Sequence, residues 1–376
     1  MTDVFDMQGL RSPRQALTDL KPYSGTMPAN KLILAANESP FSLPKTVRDE
    51  LQEAIVDFPF NRYPDPLARD LRKKVAAANK VSADCVLLGN GGDELLLDIM
   101  LAWGGQSSGS SGKSGDKKRK MLQFTPTFSM YQIYAHTLET DVVSLPRCTD
   151  TYMIDVAAAK ARLQQGDIDI CFLDNPNNPS GTLTGETELL ELVKASDTLF
   201  VVDEAYFEFC GQSMLAHLAD LPNMVILRTF SKAYSLAGLR LGYVLASPQV
   251  IEVLTRVRMP YSLNAFTQLA GELVMDARGE FDQTIADIVA QREWLYEALW
   301  DTPGVEVWPS QANYVLFRTA RAAEVWQRLL DVHDICIRDF SNAPGLTDCL
   351  RVTVGSSEQN VRFETALRES VERLLK

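Results

Sequence analysis

Six short apolar runs, each closing in a polar or glycine-bearing turn, limit this chain more than any other feature. They are CVLLGNGG (85–92), KMLQFTP (120–126), DICFLDNP (169–176), TLFVVDEAY (198–206), NMVILRTFSK (223–232) and LRLGYVLAS (239–247). A strand with one wet face alternates apolar and polar residues; these do not alternate, so both faces of each need cover. Helical periods lie around them. Val47, Leu51 and Ile55 are four apart after Ser42 and Pro44, and Leu67, Leu71 and Val75 repeat the spacing after Pro66. The pattern predicts an α/β fold, a mainly parallel mixed sheet flanked by helices. In such sheets ligands gather beyond the carboxyl ends of the strands, so the polar tails of the runs are where chemistry is expected.

Past residue 262 the texture changes. Long helical stretches at 281–300, 322–330 and 360–375 flank the short strands NYVLFR (313–318) and CLRVTVG (349–355). This predicts a large domain over 41–262 and a smaller α/β C-terminal domain over 263–376, with residues 1–40 packed on the smaller one. One segment, GGQSSGSSGKSGDKKRK (104–120), is low in complexity. Its GKS resembles a phosphate-binding P-loop, but that pattern requires glycine where Ser107 stands, and the segment follows a helix. A flexible surface connection suits its Gly, Ser and Lys content.

Charge and cysteine usage narrow the function classes. The formal net charge of -12 repels a phosphate backbone, so nucleic acid is a poor partner, while a local arginine cluster can still receive a small anion. The six cysteines are scattered without a CxxC pair, and the three histidines are not at metal-ligand spacing, so no metal site is expected. Free thiols point to a reducing, cytoplasmic setting. The first residues carry no secretory pattern, and no apolar run is long enough to cross a bilayer, so no membrane association is expected.

The chemistry concentrates in RTFSKAYSLAGLRLGY (228–243). A lysine just past an apolar strand is usually a surface residue. If Lys232 is instead desolvated, its amine pKa falls and a neutral nucleophile becomes available to capture an aldehyde. Arg240, eight residues on, with the hydroxyls of Thr229 and Ser231, could then hold a phosphate. Other pieces support that second reading. The turn at Gly91, Gly92 and Asp93 sits between strand and helix, where free N–H groups bind anions, although it could be a plain tight turn. Asp203 ends an apolar strand, and a buried carboxylate needs a cation; a protonated pyridine nitrogen would serve. Tyr206 and Asn178, the latter in the loop DNPNNPSGT, could bond a ring oxygen, and Phe128 could lie on a flat ring or in the core. Arg338 and Arg351 each follow an apolar run and could project from small-domain strands into the cleft.

An Asn-Pro-x-Gly loop, then Asp-Glu-Ala-Tyr, then Ser-Lys with arginine eight residues on resembles the fold-type I pyridoxal-phosphate (PLP) aminotransferases. That resemblance implies that Lys232 holds the cofactor covalently, Asp203 meets its ring nitrogen, and Asn178 and Tyr206 meet its ring oxygen. It also implies that Gly91, Gly92, Asp93, Thr229, Ser231 and Arg240 cup the phosphate, and that Phe128 stacks on the ring. LKPYSG (20–25), AANESPFSLP (35–44), RYPDP (62–66), GNGGDELL (89–96) and IRDFSNAPGLTDCLRVTVG (337–355) are most similar to the histidinol-phosphate aminotransferase family. Membership would imply histidinol phosphate and 2-oxoglutarate as substrates and glutamate as a product. It would also imply a homodimer in which Tyr63 reaches the cofactor phosphate of the neighbouring subunit, with Tyr23, Arg338 and Arg351 receiving the substrate's anionic end. Gly92 departs from a serine common in that family and removes a hydroxyl, not a backbone donor. An aromatic-amino-acid aminotransferase of the same subgroup and a PLP decarboxylase of phospho-amino acids are alternatives. A non-catalytic binding module has no need of Lys232, Asp203, Asn178, Tyr206 and Arg240 together.

Overall fold

A computed structural model describes residues 31–106 and 118–375, together with Arg14, Leu17 and Pro28. Tyr23, most of the segment before residue 31, and residues 107–117 of the low-complexity stretch lie outside the described residues. Among the described residues there are twelve strands: β1 (Leu32–Leu34), β2 (Val86–Gly89), β3 (Lys120–Thr125), β4 (Asp141–Pro146), β5 (Ile170–Asp174), β6 (Leu199–Asp203), β7 (Met224–Thr229), β8 (Gly242–Ala246), β9 (Val305–Val307), β10 (Tyr314–Thr319), β11 (Ile335–Asp339) and β12 (Cys349–Thr353).

Seven of them form the larger sheet in the order β2-β8-β7-β6-β5-β3-β4. β7, β6, β5, β3 and β4 run parallel; β8 is antiparallel to both its neighbours. The six apolar runs are β2, β3, β5, β6, β7 and β8, and the reason they do not alternate is visible in the packing. Leu173, Phe200, Val202 and Ile226 face one core, while Phe172, Val201, Val225 and Leu227 face another on the opposite side. Each face buries side chains at roughly 25 cal/mol per Å² of apolar surface removed from water. β4 was not expected. It is an edge strand whose residues are half-buried or exposed, so its sequence, DVVSLP, lacks the continuous apolar signal of the strands inside.

The second sheet has the order β1-β11-β12-β10-β9. β1 joins it parallel to β11, so residues 32–34 are built into this sheet although they precede the larger sheet in the chain. Helices Asp282–Trp300, Ala322–Asp331 and Ser357–Leu375 supply its apolar cover through residues such as Leu295, Leu299, Leu329, Phe363 and Leu367. The helix expected after Pro44 spans Lys45–Ala54. The next begins only at Arg69: Ala68 takes a left-handed conformation, which leaves Leu67 outside. Among the described residues, no helix is long and apolar enough to cross a membrane.

Candidate active site

Parallel pairing brings the polar ends of β5, β6 and β7 together, with Asp174 opposite Asp203 and Asp203 opposite Leu227. Two carboxylates side by side in a buried place repel each other and must each find compensation. Asp174 has it. The guanidinium of Arg147, fully buried, donates to it at 3.1 Å, and Asn177 Nδ2 and the Asn178 backbone N–H add bonds of 2.8–3.0 Å. Asp203 does not. It accepts from the Tyr131 hydroxyl at 2.6 Å and from the Ala205 N–H at 3.1 Å, and among the described residues it forms no ion pair. Burial therefore pushes its carboxyl up to about 7, and the nearby Asp174 adds to the rise. A cationic ring nitrogen placed against Asp203 would supply the missing charge, so this residue fits the pyridine end of PLP.

Lys232 lies three residues beyond β7. Its Nζ donates to the Ala36 carbonyl at 2.8 Å. Desolvation, reinforced by the charge of Arg351, lowers the amine to about 8. Lys232 is half-buried, with its amine tied to a backbone carbonyl rather than standing free in solvent.

Beyond β2 the chain turns through Gly91 (φ +82°) into the helix Gly92–Trp103. A Cβ at Gly91 would lie 2.6 Å from an Arg240 nitrogen, and one at Gly242 would lie 2.8 Å from the Gly92 backbone nitrogen. Neither site has room for a side chain, because arginine and backbone converge on the helix start. Arg240 donates to Asp93 at 3.0 Å and to Ser231 Oγ at 3.3 Å, and the Ser231 N–H donates to Thr229 Oγ1 at 3.1 Å. Gly91, Gly92, Asp93, Thr229, Ser231 and Arg240 thus belong to one cluster with free helix N–H groups and a fixed cation, which fits a phosphate.

The far wall comes from the second sheet. Arg338 and Arg351 are direct cross-strand partners, so their side chains leave the same face. Phe340 lies beneath both guanidiniums, at 5.7 and 5.5 Å from its ring centre. Two cations directly opposite each other destabilise a sheet and call for an anion between or above them. Arg351 also bonds Asn178 Oδ1 and, at 3.0 Å, the Ala35 carbonyl. Asn178, expected at the cofactor ring, and Arg351, expected at the substrate's anionic end, are therefore in contact. Tyr206 is buried; its ring edge meets Tyr314 at 5.1 Å and its hydroxyl accepts from Asn37 Nδ2 at 2.9 Å. Phe128 sets its ring edge-on to Tyr131 at 5.6 Å and is partly buried. Tyr63 is the exception: it stands on the surface, 83% exposed, with its ring 4.8 Å from that of Tyr261.

Sequence reasoning missed several members. Asp174 carries the same signal as Asp203, an acid closing an apolar strand, and Tyr131 lies one helical turn beyond Phe128. Asn37 stands in AANESP without a pattern to single it out, and nothing local marks Arg147.

Residues 29–367 match the family model described as aminotransferase class I and II. The chain is 38% identical to the histidinol-phosphate aminotransferase 1 of Carboxydothermus hydrogenoformans, across 95% of this chain and 97% of that protein. It is 37% identical to the histidinol-phosphate aminotransferase of Synechococcus sp. (strain JA-3-3Ab), across 96% and 99%. The crystal structure of histidinol-phosphate aminotransferase from Sinorhizobium meliloti in complex with pyridoxal-5'-phosphate superposes with a TM-score of 0.86 at 24% identity, covering 98% of this chain and all of that one.

Proposed function

Because the chain belongs to the aminotransferase class I and II family, we propose that it is a PLP-dependent enzyme acting in histidine biosynthesis. It passes the amino group of L-histidinol phosphate to 2-oxoglutarate, giving imidazole-acetol phosphate and L-glutamate, and the reaction is reversible. The observation that carries this reading is that two buried or half-buried groups lie beyond adjoining strands: Asp203, a carboxyl with no cation partner among the described residues, and Lys232, an amine held on the Ala36 carbonyl. The names of its relatives supply the choice of substrate.

In this reading the cluster of Gly91, Gly92, Asp93, Thr229, Ser231 and Arg240 holds the cofactor phosphate. Asn178 and Tyr206 hold the ring oxygen, Asp203 the ring nitrogen, and Phe128 covers a ring face. When bound, the cofactor supplies an electron-poor ring that keeps the amino group between the two halves of the exchange. Lys232 secures it and, near 8, can also take and return the proton at the substrate's Cα. Arg338 and Arg351, with Tyr23 from outside the described residues, receive the anionic end of either substrate, since guanidinium forks suit phosphate and carboxylate alike.

We read the active form as a homodimer. Ile55, Val56, Phe60, Tyr63, Met259 and Tyr261 are large, apolar and exposed, and they fall in two short segments joined by the Tyr63–Tyr261 contact. Such a patch calls for a cover, and a second copy would bring Tyr63 to its partner's phosphate cup. The large domain would span 41–262 and the small one 263–376. All six cysteines are unpaired, in keeping with a cytoplasmic enzyme.

A panel of amino donors assayed with 2-oxoglutarate tests the proposal. Histidinol phosphate should turn over faster than phenylalanine, with parallel double-reciprocal lines because both halves share one site. Arg338→Ala should impair histidinol phosphate more than glutamate. Intersecting lines would reject the shared-site scheme, and a preference for phenylalanine would favour the aromatic aminotransferase.

A further inference from the structure

Asn37 takes no part in the assignments above, yet it is 2% exposed and bonded through every polar group it has. Its backbone N–H donates to Thr353 Oγ1 at 2.9 Å and its carbonyl accepts from Asn313 Nδ2 at 3.0 Å. Its backbone is left-handed (φ 55°), a conformation asparagine tolerates better than most residues. The Thr353 hydroxyl, having accepted the N–H, offers its own proton to Asn37 Oδ1 at 3.4 Å. With Oδ1 accepting there, the amide nitrogen is the end turned to Tyr206. Oδ1 looks toward β12, and Nδ2 donates to the Tyr206 oxygen at 2.9 Å.

A phenol has one proton to give. With an amide N–H already occupying a lone pair of the oxygen, Tyr206 is an acceptor toward Asn37, and its own proton must point elsewhere. Among the described residues it meets no acceptor. We propose that Asn37 is a positioning residue that turns the Tyr206 hydroxyl outward as a donor to the ring oxygen of the bound cofactor. Because Asn37 is held by Thr353 of β12 and by Asn313 just before β10, that donor is set by the sheet which also carries Arg338 and Arg351. The inference rests on the reading of the cleft as a PLP site.

The consequence is a measurable proton equilibrium. A hydrogen bond given to the ring oxygen stabilises its negative charge, so the lysine-bound cofactor loses its proton at lower pH; a weaker donor moves the transition upward. The other groups facing Tyr206 are Arg351 from β12, Asp203 and Asp174 from the ends of β6 and β5, and Tyr314 from β10. Lys232 meets Glu38, Arg240 and Asp93 as well. None of these is changed by a neutral substitution at Asn37, so a shift can be traced to the hydroxyl.

Purified full-length chain would be loaded with pyridoxal phosphate and its visible band titrated with pH. In Asn37→Gly, which keeps the left-handed backbone unstrained, the transition should rise by about half a pH unit or more, ~threefold in the proton equilibrium. Tyr206→Phe should shift it at least as far, and adding Asn37→Gly to Tyr206→Phe should change nothing further. If Asn37→Gly fails to fold, Thr353→Val, which removes the hydroxyl that holds the Asn37 amide, carries the same comparison. An unmoved transition in the single variant, or a shift of equal size in the Tyr206→Phe background, overturns the inference and leaves the cofactor reading intact. A wild-type chain without any Lys232-dependent band defeats the cofactor reading itself, and this inference falls with it.

Discussion

Asp203 shows how a single side chain can be set against the stability of the chain that carries it. Its carboxyl is raised from 3.8 to about 7 by burial. Between those values the folded chain keeps a proton that the unfolded chain has lost, so stability falls as pH rises from about 4 to about 7. A cation against the carboxylate removes the penalty. For the cofactor-free chain, Asp203→Asn should abolish that part of the slope and raise stability at pH values above 7 by on the order of a few kcal/mol. The same substitution should lower the transamination rate by on the order of 10²–10³, as expected when a charge stabiliser of the transition state is lost. Urea unfolding of both forms on either side of that window is the measurement. Identical slopes would mean that the Asp203 carboxyl is not the group that titrates there.

At the scale of the element, the decisive feature is the approach of β8 and Arg240 to the start of the helix Gly92–Trp103. Gly91 has φ +82° and an arginine nitrogen 2.6 Å from where a Cβ would stand. Gly91→Ala therefore combines a backbone penalty of about 1–3 kcal/mol, for a conformation that is essentially glycine's alone, with displacement of the cation from the cup. Affinity for pyridoxal phosphate should fall on the order of tenfold or more, with a lower melting temperature, while Gly105→Ala serves as a control. Gly105 also has a positive φ, +77°, but lies past the other end of that helix with, among the described residues, only the Leu138 carbonyl, at 3.6 Å, near its added Cβ. Equal losses of cofactor affinity in the two variants would reduce the Gly91 effect to backbone strain alone.

For the whole molecule, the exposed position of Tyr63 makes a composite site testable by mixing. A Tyr63→Phe protomer keeps its own Lys232, and a Lys232→Ala protomer keeps a sound Tyr63 for its neighbour. Two inactive or weak homodimers, unfolded and refolded together in equal amounts, should regain about a quarter of wild-type activity, one intact site in each mixed dimer. Absence of recovery, with mixed dimers demonstrated by mass, would place Tyr63 outside the partner's site. The chain's own order of residues determined six of the seven strands of the large sheet, because each of those six must be apolar on both faces, and it marked the strand ends where Asp203, Thr229 and the approach to Lys232 lie. It also carried the family motifs. The edge strand β4, half wet, left no such mark. Nor did sequence place Arg147 against Asp174, Asn37 against Tyr206, or Arg338 opposite Arg351 on adjacent strands. Those partners are separated by between 13 and 169 positions and have no shared period. Strand pairing within each sheet and the meeting of the two sheets bring them together, and buried polar groups then take the partners that geometry leaves them.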